Sequence, residues 1–430
     1  MRHMPLSVNQ HTTSVVQHAI NFLVMLFMLF GCQQSNRVER TYTSAPDAAL
    51  PAASKTEQLL TPVPEANKEF DSIIGCVPVK PQTPQRVNLN GSLVVYDSSR
   101  QPANDAFLMG LSSGSFNQLT QMEQIIISLR ISPNGKWIAY LAVNKKNYKD
   151  MKLVVKNIAA NSTIEIAWKP EWDLSGLERW LNDQELLIAL ESSDYPPPLI
   201  AFNPFSKDSS VLPSTFPNQE VLDPGSGVSF AEYAPSLDDV VYPALEHDVD
   251  GFSLFNRTAN RQIAFFPSQT LVEAGSPAWS HDGQKFVFVS KMVNSGSYVN
   301  LGMLDGSVRR IVDLSREMSS FRVESFAWSP NDKFVAVVVF NVDQQVGKLL
   351  LLDIESQKVV DPCVEVNYDH WTGGGPVSDF PVWAPDSRSL IVEKQSGEGK
   401  NKVILINLPQ MSAGILAQDQ RVLGWISAVP

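Results

Sequence analysis

One short pattern recurs seven times between residues 86 and 430, and a chain that repeats itself at intervals near fifty residues has few folds open to it. The fullest copies run Ala278-Trp279-Ser280-His281-Asp282-Gly283-Gln284-Lys285 and Ala327-Trp328-Ser329-Pro330-Asn331-Asp332-Lys333. Val382-Trp383-Ala384-Pro385-Asp386-Ser387 and Ile131-Ser132-Pro133-Asn134-Gly135-Lys136 are close to them. Trp180-Leu181-Asn182-Asp183, Tyr233-Ala234-Pro235-Ser236 and Leu89-Asn90-Gly91-Ser92 are looser copies. Aligned on the proline position, the anchors fall at 89, 133, 181, 235, 281, 330 and 385, with gaps of 44, 48, 54, 46, 49 and 55.

Each copy has the same sequel: an apolar strand, a polar loop, a second strand, a short turn and a third strand. In the sixth copy these are Phe334–Phe340, the loop Asn341–Gly347, Lys348–Ile354, the turn Glu355–Gln357 and Lys358–Val366. Runs near six residues with turn residues between them read as antiparallel sheet. Pro followed by Asn, Asp or Gly makes a tight turn between two strands. The aromatic face of the Trp before it suits the wedge between neighbouring sheets. Trp180, Trp279, Trp328, Trp383 and Trp425 occupy that place and are assigned to the core. The fold class that follows is all-β: a seven-bladed β-propeller of four-stranded antiparallel blades over residues 85–430. The composition agrees, with 23 Gly, 29 Pro and only 18% charged residues.

Closure is legible at the ends. Arg421-Val422-Leu423-Gly424-Trp425-Ile426-Ser427 matches the strand that precedes each turn, yet no turn and further strands follow it. The first copy has no Trp ahead of Leu89. The C-terminal strand is therefore expected to supply the inner strand of blade one, beside Leu93–Tyr96, which removes exposed sheet edges.

The pattern resembles the TolB-type β-propeller repeat, in which Trp-Ser-Pro-Asp-Gly-Lys opens each blade. The resemblance spans residues 86–430. TolB proteins proper place a separate N-terminal domain before a six-bladed ring. This chain has a different N-terminus and seven copies, so the Tol-system role is not carried over.

Ahead of the repeats, Ala19–Phe30 is an apolar run of signal-peptide length, short of the ~20 residues a spanning helix needs. It ends in Leu29-Phe30-Gly31-Cys32, which resembles the lipobox of bacterial lipoproteins, although Phe30 is bulkier than that pattern's usual residue. Residues 1–31 are read as a lipoprotein signal peptide and Cys32 as the lipidated residue. Gln33, in place of Asp, favours the outer membrane in a Gram-negative host. Residues 32–84, rich in Pro, Ala and Ser, are read as a tether. Cys76 and Cys363 then remain as an even pair in a disulfide-permissive compartment, either bridged or two buried thiols.

The chain carries 34 Lys+Arg against 45 Asp+Glu, and without the leader 33 against 45, a net −12. Such a balance excludes nucleic acid as an expected partner. Three His lie beyond the leader, His247, His281 and His370, and His281 occupies a turn position. Gly110-Leu111-Ser112-Ser113-Gly114 matches the G-x-S-x-G string of serine hydrolases but falls in a hairpin, without the strand–elbow–helix context that chemistry needs. Glu246-His247-Asp248-Val249-Asp250-Gly251 spaces hard oxygens as a Ca²⁺ loop begins, so Asp248 and Asp250 are weak metal candidates; no other cofactor is expected.

What remains is a surface. One face of the ring is expected to gather Trp172, Asp173, Asp194, Tyr195, Phe216, Tyr298, Tyr368, Asp369, His370 and Trp371, as protein or sugar contacts or as plugs folded over the blades. The longest loops on it are Pro213–Gly227 and Asn367–Ser378. The expected function is a monomeric, membrane-anchored, exported propeller that binds an envelope protein without chemistry. The alternative is a glycosidase or polysaccharide lyase acting on a cell-wall or extracellular glycan, with Asp173, Asp194 and Asp369 at the channel mouth.

Overall fold

A computed structural model of the chain describes residues 79–80, 89, 91–97, 106–119, 124–144, 147–169, 172–190, 198–213, 215–219, 231–268, 276–292, 296–314, 321–342, 344, 346–366, 380–396 and 400–427. The first strand is β1 (Val79–Lys80). Blade one contributes β2 (Ser92–Asp97), β3 (Ala106–Gly110) and β4 (Phe116–Gln118). Blade two holds β5 (Gln124–Ile131), β6 (Trp137–Asn144), β7 (Asn147–Asn157) and β8 (Ser162–Ala167). Blade three holds β9 (Trp172–Trp180), β10 (Leu186–Leu190), β11 (Leu199–Phe202) and β12 (Ser209–Leu212). Blade four is β13 (Glu232–Tyr233), β14 (Asp239–Glu246), β15 (Val249–Asn256) and β16 (Arg261–Pro267). Blade five is β17 (Ala278–Trp279), β18 (Lys285–Met292), β19 (Gly296–Met303) and β20 (Val308–Asp313). Blade six is β21 (Phe321–Trp328), β22 (Phe334–Asn341), β23 (Val346–Asp353), β24 (Lys358–Val360) and β25 (Glu365–Val366). Blade seven has β26 (Val382–Trp383), β27 (Ser389–Ser396), β28 (Lys400–Asn407) and β29 (Ser412–Gln418), and the last strand is β30 (Gln420–Ile426).

Among the described residues these strands form seven sheets, and within each blade the order follows the chain. Blade one is the exception, ordered β30-β2-β3-β4. Leu93 pairs with Trp425, Val94 with Gly424 and Tyr96 with Arg421, so the C-terminal strand closes the ring as the repeat count requires. One strand falls within the segment read as a tether. Val79 and Lys80 pair in parallel with Ala413 and Gly414, adding β1 as a fifth strand on the outer edge of blade seven.

The outer strand of blade six, expected over Lys358–Val366, is shorter than its composition suggests. It ends at Val360, and only Glu365–Val366 rejoin β23. Pro362 has no N–H to give the ladder, and Cys363 is left-handed at φ 53°, so the chain cannot stay extended between them.

The core is divided into wedges between blades, as the Trp placement implies. Leu141, Leu153, Trp180 and Phe202 pack blades two and three together, while Val338, Leu351, Trp383 and Ile404 join blades six and seven. Leu93, Val95, Val403 and Trp425 pack the closing blade against its neighbour.

Four indoles do more than fill space. Each donates its Nε1–H to the carbonyl just ahead of the motif aromatic in the preceding blade: Trp180 to Arg130 at 3.2 Å, Trp279 to Glu232 at 2.7 Å, Trp328 to Ala278 at 2.9 Å and Trp383 to Ala327 at 2.9 Å. Blade two has Ile131 at this position, and a Cβ on Gly424 would lie 2.0 Å from the Ile131 Cδ1. Here a bare glycine lets the aliphatic chain sit where an indole lies elsewhere.

The turn after each aromatic is stapled by its own side chains. Ser132 Oγ accepts the Trp137 amide at 3.0 Å and donates to Asn134 Oδ1, which in turn accepts the Lys136 amide. Ser329 and Asn331 repeat the arrangement, as do Ser280 and Asp282. Consecutive turns also touch. Asn134 N–H donates to Asp183 of the next blade at 2.9 Å, and Asn331 N–H to Ser387 at 3.0 Å.

Candidate functional site

The residue just before each motif aromatic, or before Ile131 in blade two, sits on the innermost strand of its blade. On blades two, three and four it is Arg130, Arg179 and Glu232; on blades five, six, seven and one it is Ala278, Ala327, Val382 and Gly424. In this slot charge is thus confined to one arc of the ring, blades two to four. Arg179 donates through Nη2 to the Tyr233 carbonyl at 2.6 Å and lies 3.4 Å from Glu232 Oε2. Burial raises the Glu232 carboxyl above the usual range, and the Arg179 charge opposes that only in part. Arg130 is buried and donates to the carbonyls of Glu178 and Leu129. On blade six Arg322 Nε meets Glu324 Oε1 at 2.5 Å, and burial again outweighs the Arg in raising the acid.

Glu324 of blade six is a second carboxyl raised above the usual range beside a guanidinium group, and the arc of blades two to four itself offers one, Glu232. Its arginines are spent first on carbonyls of the inner strands. Sequence reasoning passed over these side chains, although Arg and Glu in the slot before the motif aromatic were visible as departures from the repeat.

The surface candidates fare differently. Trp172 is 2% exposed; its ring meets Trp168 edge-on at 4.7 Å and Phe202 at 5.1 Å, so the indole belongs to the wedge between blades two and three. Asp173 follows it on β9. Phe216 stacks on Tyr242 at 4.7 Å, and Tyr233 and Tyr242 donate their hydroxyls to Pro213 and Pro217, so the described start of the long loop plugs blade four. Tyr298 lies on β19 under the Arg310 guanidinium, 4.4 Å from the ring centre. Asp194, Tyr195, Tyr368, Asp369, His370 and Trp371 lie outside the described residues, as do Cys32 and Cys76. Cys363 is disulfide-bonded.

No protein-family model matches this chain, and no curated protein matches it. Solved structures do. TolB from Acinetobacter baumannii is 14% identical over 64% of this chain, with a TM-score of 0.40. The chain covers 63% of that structure, just under two thirds of its length. An oligogalacturonate lyase in complex with manganese is 8% identical over 76% of this chain and 85% of its own, with a TM-score of 0.47. The oligogalacturonate lyase from Vibrio parahaemolyticus is 12% identical over 76% and 86%, with a TM-score of 0.46. The propeller itself rests on the strand ladders of this chain.

The remaining chemical candidates take structural places. Gly110–Gly114 forms the turn from β3 to β4, with Gly114 N–H on the Gly110 carbonyl at 2.8 Å. His281 Nδ1 lies 2.8 Å from Asp332 Oδ1, and the amides of His281 and Asp282 donate to the same carboxylate. His247 and Asp248, at φ 50° and 61°, are the two central residues of the β14–β15 hairpin, a geometry that fits a type I′ turn. Asp250 is a ladder residue opposite Leu245. Among the described residues no three His, Cys, Asp or Glu side chains gather around a common point, and the Asp248–Asp250 spacing serves the hairpin.

Proposed function

We propose that this chain is an exported lipoprotein, processed to Cys32 and held at a bacterial envelope membrane by residues 32–84, whose propeller binds a protein partner without chemistry. The observation that carries this reading is the use made of the inner-strand cations. Arg130 and Arg179 both bond backbone carbonyls of blade three or four, which stiffens the ring as a platform for its loops. A rigid support with aromatic loop residues is suited to protein recognition. The Tyr368–Trp371 loop, with two aromatics and a carboxylate, is the contact region we favour.

A glycan-acting enzyme is the second reading. It is favoured by Glu232 and Glu324, whose burial holds carboxyls above the ordinary range on inner strands.

One experiment separates the two: affinity capture from detergent-solubilised envelope, with glycan turnover assayed on the same sample. Binding predicts a partner that co-purifies with the wild type and is lost from Trp371→Ala while the variant keeps its thermal unfolding midpoint. Turnover lost on Glu232→Gln, with no co-purifying protein, overturns the binding role. The anchor is tested apart, because Cys32→Ala should abolish lipid labelling; a labelled variant overturns it.

A further inference from the structure

Glu393 stands in a register that none of the sister blades fills with a charge. Three residues beyond the partner of the motif aromatic, the second strands carry Leu141, Ala189, Val289 and Val338 in four blades, and Tyr96 and Pro243 in two. Blade seven carries Glu393 there, with no exposed surface. A carboxyl in a slot built for apolar side chains is costly unless its oxygens find donors.

Glu393 finds one. Its Oε1 accepts the N–H of Val422 at 2.5 Å, while Oε2 is buried and has no hydrogen-bond partner among the described residues. Val422 belongs to β30, the strand that closes the ring. Val94 pairs with Gly424 but Val95 with Val422, so Leu423 is bulged out of the ladder beside this contact. Two residues earlier on β30, the Gln420 Oε1 is a second buried acceptor without a donor. The seam between blades seven and one is therefore short of protons where the closing strand seats.

The charged surroundings are few. β30 brings Arg421, the charge whose field reaches Glu393. β28 places Val403 opposite Glu393, with Lys402 next to it, and β26 carries no ionisable residue. On its own strand Lys394 is paired with Glu365 of β25. In the closing sheet, Asp97 of β2 is opposite Gln420.

We propose that Glu393 makes this seam a pH-dependent latch: protonated, it lets β30 seat and the ring stay shut, and ionised, it loosens the closing strand. Burial supports this by pushing the Glu393 carboxyl up to about 7, against the opposing Val422 N–H and the Arg421 charge. The closed form then holds a proton that a solvated, opened form sheds. Closure is favoured at low pH. It weakens by about tenfold per pH unit as pH rises from the ordinary glutamate value toward 7, and levels off above.

Hydrogen exchange of the full chain, corrected for intrinsic chemistry, tests the latch. Between about pH 5 and about pH 7 the opening of β30 should rise by about fortyfold, while β22 of blade six stays level. In Glu393→Gln, and in Glu393→Leu, which copies blade two, the β30 rise should vanish. Parallel behaviour of β30 and β22 in the wild type overturns the latch without any variant. So does a β30 rise that persists in either variant.

Discussion

The indole Nε1 of Trp328 donates to the carbonyl of Ala278 across 2.9 Å, joining residues fifty positions apart in the chain. The same bond recurs in Trp180, Trp279 and Trp383, each time reaching the blade before. A residue chosen for a turn motif is thus also the rivet between sheets.

Trp328→Phe should keep an aromatic in the wedge and remove the bond to the part-buried Ala278 carbonyl. A loss of about 1–3 kcal/mol is expected. In denaturant unfolding the midpoint should fall with the slope unchanged. An unmoved midpoint would show that the indole only fills space.

Asp332 binds the turn of blade five to that of blade six. Burial works against its charge, but hydrogen bonds from the His281 ring and from the amides of His281 and Asp282 outweigh it and hold the carboxyl below the usual range. A depressed folded pKa stabilises fully above the unfolded value and is lost as pH falls through the folded one. The melting temperature of Asp332→Asn should therefore lie below that of the wild type at neutral pH, and the gap should close below about pH 4. A gap of constant size would remove the electrostatic account.

Cys363 is disulfide-bonded, and the chain has two other cysteines, Cys32 and Cys76. Lipidation of Cys32 would leave Cys76 as the partner, three residues before β1 on the neighbouring blade. Peptide mapping without reductant should then join the Cys76 and Cys363 peptides, and Cys76→Ser should free one thiol. A Cys32–Cys363 link would contradict both the bridge and the anchor.

Much of this architecture was legible because the repeat is local. The turn chemistry of Ser132 to Gly135, or Ser329 to Asp332, is decided within six residues, and seven copies give the blade number by counting. The likeness of Arg421–Ser427 to the strand that precedes each turn pointed to the closure that the Leu93–Trp425 pairing makes. Legibility failed where a contact came from another blade. Trp172 follows Lys169-Pro170-Glu171 and reads as a loop aromatic, yet Trp168 and Phe202 enclose it. Pro362 and Cys363 break a strand whose apolar pattern looks continuous.

The sequence by itself determined the blade number, the strand order within each blade and the partner of the last strand, since all three follow from turn residues and short apolar periods. Only the tertiary structure decided what each strand faces. Arg130, Arg179 and Glu232 look like interruptions of the motif until the ring brings blades two, three and four together, where Arg130 and Arg179 bond carbonyls of the next blade and Glu232 meets Arg179 of the blade before. Glu393 looks like the polar end of a strand until β30, arriving from the end of the chain, covers it. Burial is a property of the neighbours, and in a closed ring the neighbours lie about fifty residues away or at the opposite end of the chain.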